Sequence, residues 1–112
     1  MQEVLIIPSD EFRRQAKRLA KKFKSLKEDL LALQQTLQQN PLAGIDLGGG
    51  KRKIRLGVVS KGTGKRGGMR VITFNVLQTA DSITIYLITI YDKSEYQNVS
   101  DKYVDQIIKG LK

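Results

Sequence analysis

Eight basic side chains fall within residues 51–70, namely Lys51, Arg52, Lys53, Arg55, Lys61, Lys65, Arg66 and Arg70, with no acidic residue among them. Guanidinium and ammonium groups at this density suit one chemistry above others: gripping phosphate oxygens and stabilising charge that develops on them. Period-two alternation puts Lys51, Lys53 and Arg55 on one face of a strand, with Ile54, Leu56 and Val58 on the other. An antiparallel neighbour beginning near Met69 brings Arg70 beside the far end of that row. Like charges directly across strands destabilise a sheet, so the row points to a bound polyanion. The plainer explanation is a solvated basic strand that discourages edge-to-edge aggregation.

The remaining inventory narrows the chemistry. The chain has no Cys and no His, which removes thiolates, disulfides and the commonest general acid-base and metal ligand. Its 11 carboxylates are dispersed, mostly at helix starts and turns. Neither a metal constellation nor a cofactor is expected. Gly62-Thr63-Gly64-Lys65 suggests a phosphate-binding loop, but Val59 and Arg66 stand where that motif needs Gly and Ser or Thr, and the segment leads into a strand. On RNA, the available route is attack of a 2′-OH on the adjacent phosphate. Arg55 and Arg70 suit the developing phosphoryl charge, because guanidinium forks hold phosphate bidentately. Lys53 is the candidate general base. Tyr91 or Tyr96 could protonate the leaving group or stack on a base.

The elements that must position these groups are legible in outline. Residues 4–7 form a short β-rich run, followed by Ser9 as an N-cap for a helix whose Phe12, Ala16, Leu19, Ala20 and Phe23 form an apolar stripe. Its opposite face carries Arg13, Arg14, Lys17, Arg18, Lys21 and Lys22, serving either solvation or docking on a large RNA. Ser25 and Glu28 have capping-box spacing for a second helix, which Asn40-Pro41 ends. Residues 42–50 read as a connector. Three strands follow, around 53–58, 69–77 and 83–91, and Ser100 caps a last helix bearing Val104, Ile107, Ile108 and Leu111. The expected fold is α+β, β-α-α-β-β-β-α, one domain over residues 1–112 with an antiparallel sheet packed against a helical hairpin.

Three segments carry a likeness to a known family: Lys53-Ile54-Arg55-Leu56, then Gly68-Met69-Arg70-Val71-Ile72, then Leu87-Ile88-Thr89-Ile90-Tyr91-Asp92-Lys93-Ser94-Glu95. Together they resemble the RelE/HigB toxin superfamily, over nearly the whole chain. The resemblance implies a toxin of a type II toxin-antitoxin system, a ribosome-dependent endoribonuclease that cuts messenger RNA and is neutralised by a cognate antitoxin. It matches Lys53 and Arg55 to the paired basic positions of the catalytic strand, Arg70 to the arginine of the glycine-x-arginine segment, and Lys93 to a late basic position. The family's catalytic tyrosine falls near Val99, where this chain departs from the pattern. Tyr91 or Tyr96 could substitute.

Net charge +9 fits an RNA partner and an acidic antitoxin segment that masks residues 51–70 or displaces the last helix. Lys51, Arg52, Lys61, Lys65 and Arg66 are the expected RNA contacts. The first eight residues lack the basic head and cleavage site of a signal peptide, and the apolar run 83–91 is too short to span a bilayer as a helix. No membrane partner and a cytoplasmic location are therefore expected. Two other readings share the surface. One is a ParE-like toxin that inhibits a topoisomerase without nuclease activity, which needs no cationic row. The other is a nucleic-acid-binding domain without catalysis.

Overall fold

The computed structural model describes residues 2–62, 64 and 67–111. The chain runs β1 (Glu3–Pro8), α1 (Asp10–Lys22), α2 (Leu26–Gln39), β2 (Ile45–Gly48), β3 (Lys51–Leu56), a short 3-10 turn (Val59–Lys61), β4 (Met69–Thr79), β5 (Ser82–Asp92) and α3 (Asp101–Lys109). The α+β class is as expected, and the sheet differs in two respects. It has five strands in the order β1-β5-β4-β3-β2. The extra strand, β2, occupies the presumed connector, where Gly48, Gly49 and Gly50 turn the chain into β3 with φ of 88°, 61° and 85°. Such consecutive left-handed positions are open to glycine and costly for other residues. The sheet is also mixed: β1 pairs parallel to β5, from Glu3↔Ser82 to Pro8↔Leu87.

Local signals held where the chemistry was local. Ser9 Oγ accepts from Phe12 N at the start of α1, and Ser100 Oγ accepts from Tyr103 N at the start of α3. The Ser25 capping box does not form. Ser25 sits in helical geometry without a side-chain cap, and its hydroxyl bonds Asp29 Oδ2 at 2.7 Å and Ser60 Oγ at 2.9 Å. It ties α2 to the 3-10 turn instead.

The two faces of the sheet carry separate cores. The α1–α2 hairpin packs Phe12, Leu19, Leu26, Leu33 and Leu37 against Ile54, Leu56, Val71, Ile85 and Ile90. On the other face, α3 packs Val104, Ile107 and Ile108 against Ile72, Ile88 and Tyr91. A bulge in β5 decides which residues reach this second face. Ile72 pairs with Thr89 and Thr73 with Leu87, leaving Ile88 unmatched. Strict alternation from Ile83 and Ile85 would point Thr89 and Tyr91 toward the hairpin; the inserted residue turns both over. Ser9 Oγ donates to the carbonyl of Ile88 at 2.6 Å, satisfying the bulge. No helix among the described residues is long and apolar enough to cross a membrane.

Candidate nucleic-acid interface

The β3–β4 register places the cations. Lys51 pairs with Phe74, Lys53 with Ile72 and Arg55 with Arg70, so all three β3 cations lie on the α3 face. Arg70 in turn pairs with Tyr91 on β5. At one end of the sheet a row therefore crosses three strands, Arg55, Arg70, Tyr91, with neighbouring backbones about 5 Å apart. Its depth is graded. Arg55 is exposed, whereas Arg70 and Tyr91 are 5% and 3% exposed. Arg70 Nη1 donates to the Met69 carbonyl at 3.1 Å. The Tyr91 hydroxyl is buried and has no hydrogen-bond partner among the described residues. Burial raises its pKa above the usual phenol value, partly offset by the Arg70 charge, so the phenol keeps its proton.

Val104 of α3 packs with Tyr91, with Val99 and Tyr103 against the same cluster, and the segments bearing these residues also reach the β3 cations. Lys53 Nζ donates to Asn98 Oδ1 at 2.6 Å, and Lys51 Nζ to Asp105 Oδ1 at 3.0 Å. Segment 93–100 is tied to α1 by a two-pronged Arg18–Glu95 pair at 3.2 and 3.3 Å. Tyr103 closes the connection, donating to Glu11 while lying 3.0 Å from Thr89 Oγ1. Among the described residues Arg55 makes no ion pair or side-chain hydrogen bond, and the partner of Lys53 is a neutral amide. Of the three β3 cations on this face, Lys51 is the one paired with a carboxylate among the described residues.

Other residues expected at the site have different surroundings. Arg52 lies on the hairpin face, where its guanidinium donates to the carbonyls of Ala43 at 3.2 Å and Gly44 at 2.9 Å. Lys61 is engaged with Asp92 at 2.5 Å, with side chains 8% and 1% exposed, and its ammonium sits 5.3 Å from the centre of the Phe23 ring. Burial would push the Asp92 carboxyl up, but hydrogen bonds from Lys61, Ser94 N and Ser94 Oγ outweigh it and hold the group below the usual carboxylate range. Lys93 is exposed on the turn after β5, its backbone N–H bonded to the Gly68 carbonyl at 3.3 Å. Lys65 and Arg66 lie outside the described residues. Tyr96 is half exposed, and Val99 is partly buried against the α3 core.

Asn98, Glu11, Thr89 and Tyr103 join the site without having been foreseen. The bonds that bring them to the site, Lys53–Asn98, Thr89–Tyr103 and Tyr103–Glu11, join residues at least 14 positions apart, so no local spacing reveals them. Among the described residues, no three acidic side chains converge as a metal-binding group. No known family model matches the chain.

Proposed function

We propose that this protein is a RelE-like toxin of a type II toxin-antitoxin system, an endoribonuclease that cuts translated messenger RNA on the ribosome without a metal ion. The observation that carries this reading is the direct cross-strand pairing of Arg55 with Arg70, continued to Tyr91. Two guanidinium residues opposed on one face repel one another, and a phosphate between them is held by both. Arg55 supplies the accessible fork and Arg70 a fixed charge beneath it. Lys53, one rung away, is the amine placed to take the proton of the 2′-OH as its oxygen attacks phosphorus. The P–O5′ bond breaks, a 2′,3′-cyclic phosphate remains, and the departing 5′ oxygen takes a proton from Tyr91, whose phenol is neutral. Lys93 and Lys51 extend the cationic rim. Segment 93–100, whose Val99 packs against the cluster containing Tyr91, must swing aside for phosphate to reach that phenol, and the cognate antitoxin, an acidic segment, would compete for the same charges.

The burial of Arg70 and Tyr91 also favours a second reading, in which the surface binds RNA without cutting it. Induction in cells separates the two. Growth arrest with new messenger 5′ ends by primer extension, dependent on ribosomes, is expected of the nuclease; salt-dependent RNA affinity without new ends marks the binding domain. Arrest accompanied by loss of gyrase supercoiling and intact messenger would instead identify the ParE-like activity.

A further inference from the structure

Lys51 and Lys53 share one face of β3, yet the chain holds them with partners of different kinds. Lys51 Nζ donates to a carboxylate, Asp105 Oδ1 at 3.0 Å, and Lys53 Nζ to a neutral amide oxygen, Asn98 Oδ1 at 2.6 Å. Asn98 belongs to segment 93–100, which leads from β5 to the N-cap of α3. The near end of this segment is fixed. The Asp92 carbonyl accepts from Glu95 N at 2.9 Å and Tyr96 N at 3.1 Å, and the Glu95 carboxylate accepts twice from Arg18 of α1. Its far end is Ser100, whose Oγ accepts from Tyr103 N at 3.1 Å.

Between these two posts the hold on the sheet is slight. Residues 93–98 are all exposed, and of the segment's apolar side chains Val99 is the one packed against the cluster of Ile72, Ile88, Tyr91 and Val104. Stretches with few buried apolar contacts and exposed hydrogen bonds open at low cost. The Lys53–Asn98 bond therefore matters. An amide oxygen carries no net charge, so a phosphate oxygen offers Lys53 the same hydrogen bond with Coulombic attraction added, and displaces it. A carboxylate at that position would not yield in this way.

We infer that segment 93–100 is a strap that closes the site, with the Asn98 oxygen occupying Lys53 in place of a phosphate oxygen, and that RNA opens it by taking Lys53 over. The inference rests on the RNA reading above and adds the regulation of that site. Opening lifts Val99 from the cluster that contains Tyr91, so the phenol becomes reachable once a strand has engaged the cations. Until then the site stays shut. Binding must displace the strap, so the observed Kd is the intrinsic value divided by the open fraction.

The test uses a 2′-O-methyl RNA of about ten nucleotides, a length within the range of known single-strand sites, whose methyl groups block cleavage. Relaxation dispersion of the Val99 methyl signals reads the open fraction on the microsecond to millisecond scale, and titration reads affinity. Saturating RNA should abolish the NMR contacts of Val99 with the cluster. Asn98→Ala, which changes no charge, should raise the open fraction and tighten RNA binding about fivefold, the scale of one net hydrogen bond. Asn98→Asp should lower the open fraction and weaken binding by more than Gln97→Glu, which brings the same charge to the adjacent exposed position. Equal or weaker RNA binding by Asn98→Ala would overturn the strap, and so would Val99 contacts that persist in the RNA complex; either result leaves the phosphate surface standing. Failure of RNA to bind both the wild type and Asn98→Ala would overturn the phosphate surface and the opening of the strap with it.

Discussion

Arg55 and Arg70 stand directly opposite one another across the β3–β4 ladder, one exposed and the other almost fully buried. Opposed like charges cost a sheet roughly 0.2–1 kcal/mol. Arg55→Thr, which keeps a good strand former in place, should therefore raise the unfolding free energy by about that amount while weakening RNA binding. Thermal melts at low and high salt provide the check. The gain should shrink as salt screens the pair, and an Arg55→Thr variant less stable than wild type at low salt would contradict the repulsion.

The Tyr91 hydroxyl is a buried donor without a partner among the described residues, a condition that costs about 1–3 kcal/mol. Tyr91→Phe should stabilise the protein by about 1 kcal/mol in urea titrations. If Tyr91 also protonates the leaving oxygen, the same variant should cleave RNA more slowly, so stability and activity move in opposite directions.

Lys61 and Asp92 form an ion pair that is nearly inaccessible to water. Removing one partner leaves an uncompensated charge, and Lys61→Met should cost about 3 kcal/mol of stability. The pair also sets a pH dependence. Because the folded pKa of Asp92 lies below its unfolded value, the unfolded chain takes up the proton first on acidification. The contribution of Asp92 is therefore complete above the unfolded value of about 3.9 and is lost as pH falls through the folded one. Denaturation midpoints of wild type and Asp92→Asn should differ by a constant amount down to about pH 5 and converge below about pH 4.

Gly68 sits where β4 begins to pair with β3. A Cβ there would stand 2.1 Å from the Leu56 carbonyl oxygen and 3.0 Å from that of Gly64, both backbone atoms. The strands must separate to admit it. Gly68→Ala should cost about 2 kcal/mol or more by urea unfolding, and should shift the Arg70 and Lys93 signals in NMR spectra, since the Gly68 carbonyl also accepts from Lys93 N.

What the sequence made legible is what depends on near neighbours. Ser9 and Ser100 act within three residues, so both caps could be read directly. The alternation Lys51, Lys53, Arg55 places the cations on one face, and Met69 as the start of β4 puts Arg70 opposite Arg55. Strand β2 was hidden because it is only four residues long and runs straight into a glycine turn, and its Ile45 and Leu47, though alternating with Asp46 and Gly48, stay exposed. The parallel pairing of β1 joins positions nearly 80 apart, beyond any local pattern. The bulge at Ile88 lies inside an unbroken apolar run, so nothing in that run announces that Tyr91 turns toward Arg70. Arg52 shares the composition of the row and misses it through parity alone, while Lys61 is drawn away by Asp92, 31 positions later. The burial of Tyr91 depends on packing by Val104, Val99 and Tyr103, which no spacing within β5 encodes.

The most direct measurement is the cleavage rate of ribosome-bound messenger RNA by the wild type and by Lys53→Ala, Arg55→Ala and Arg70→Ala variants. Arg55 and Lys53 lie outside the buried core, so their variants are expected to fold, with circular dichroism as the control. Loss of a single electrostatic stabiliser typically slows such a step about 100-fold or more. The account predicts a loss of that order for Arg55→Ala and for Lys53→Ala, with the fold intact. Cleavage at the wild-type rate by all three variants would contradict it.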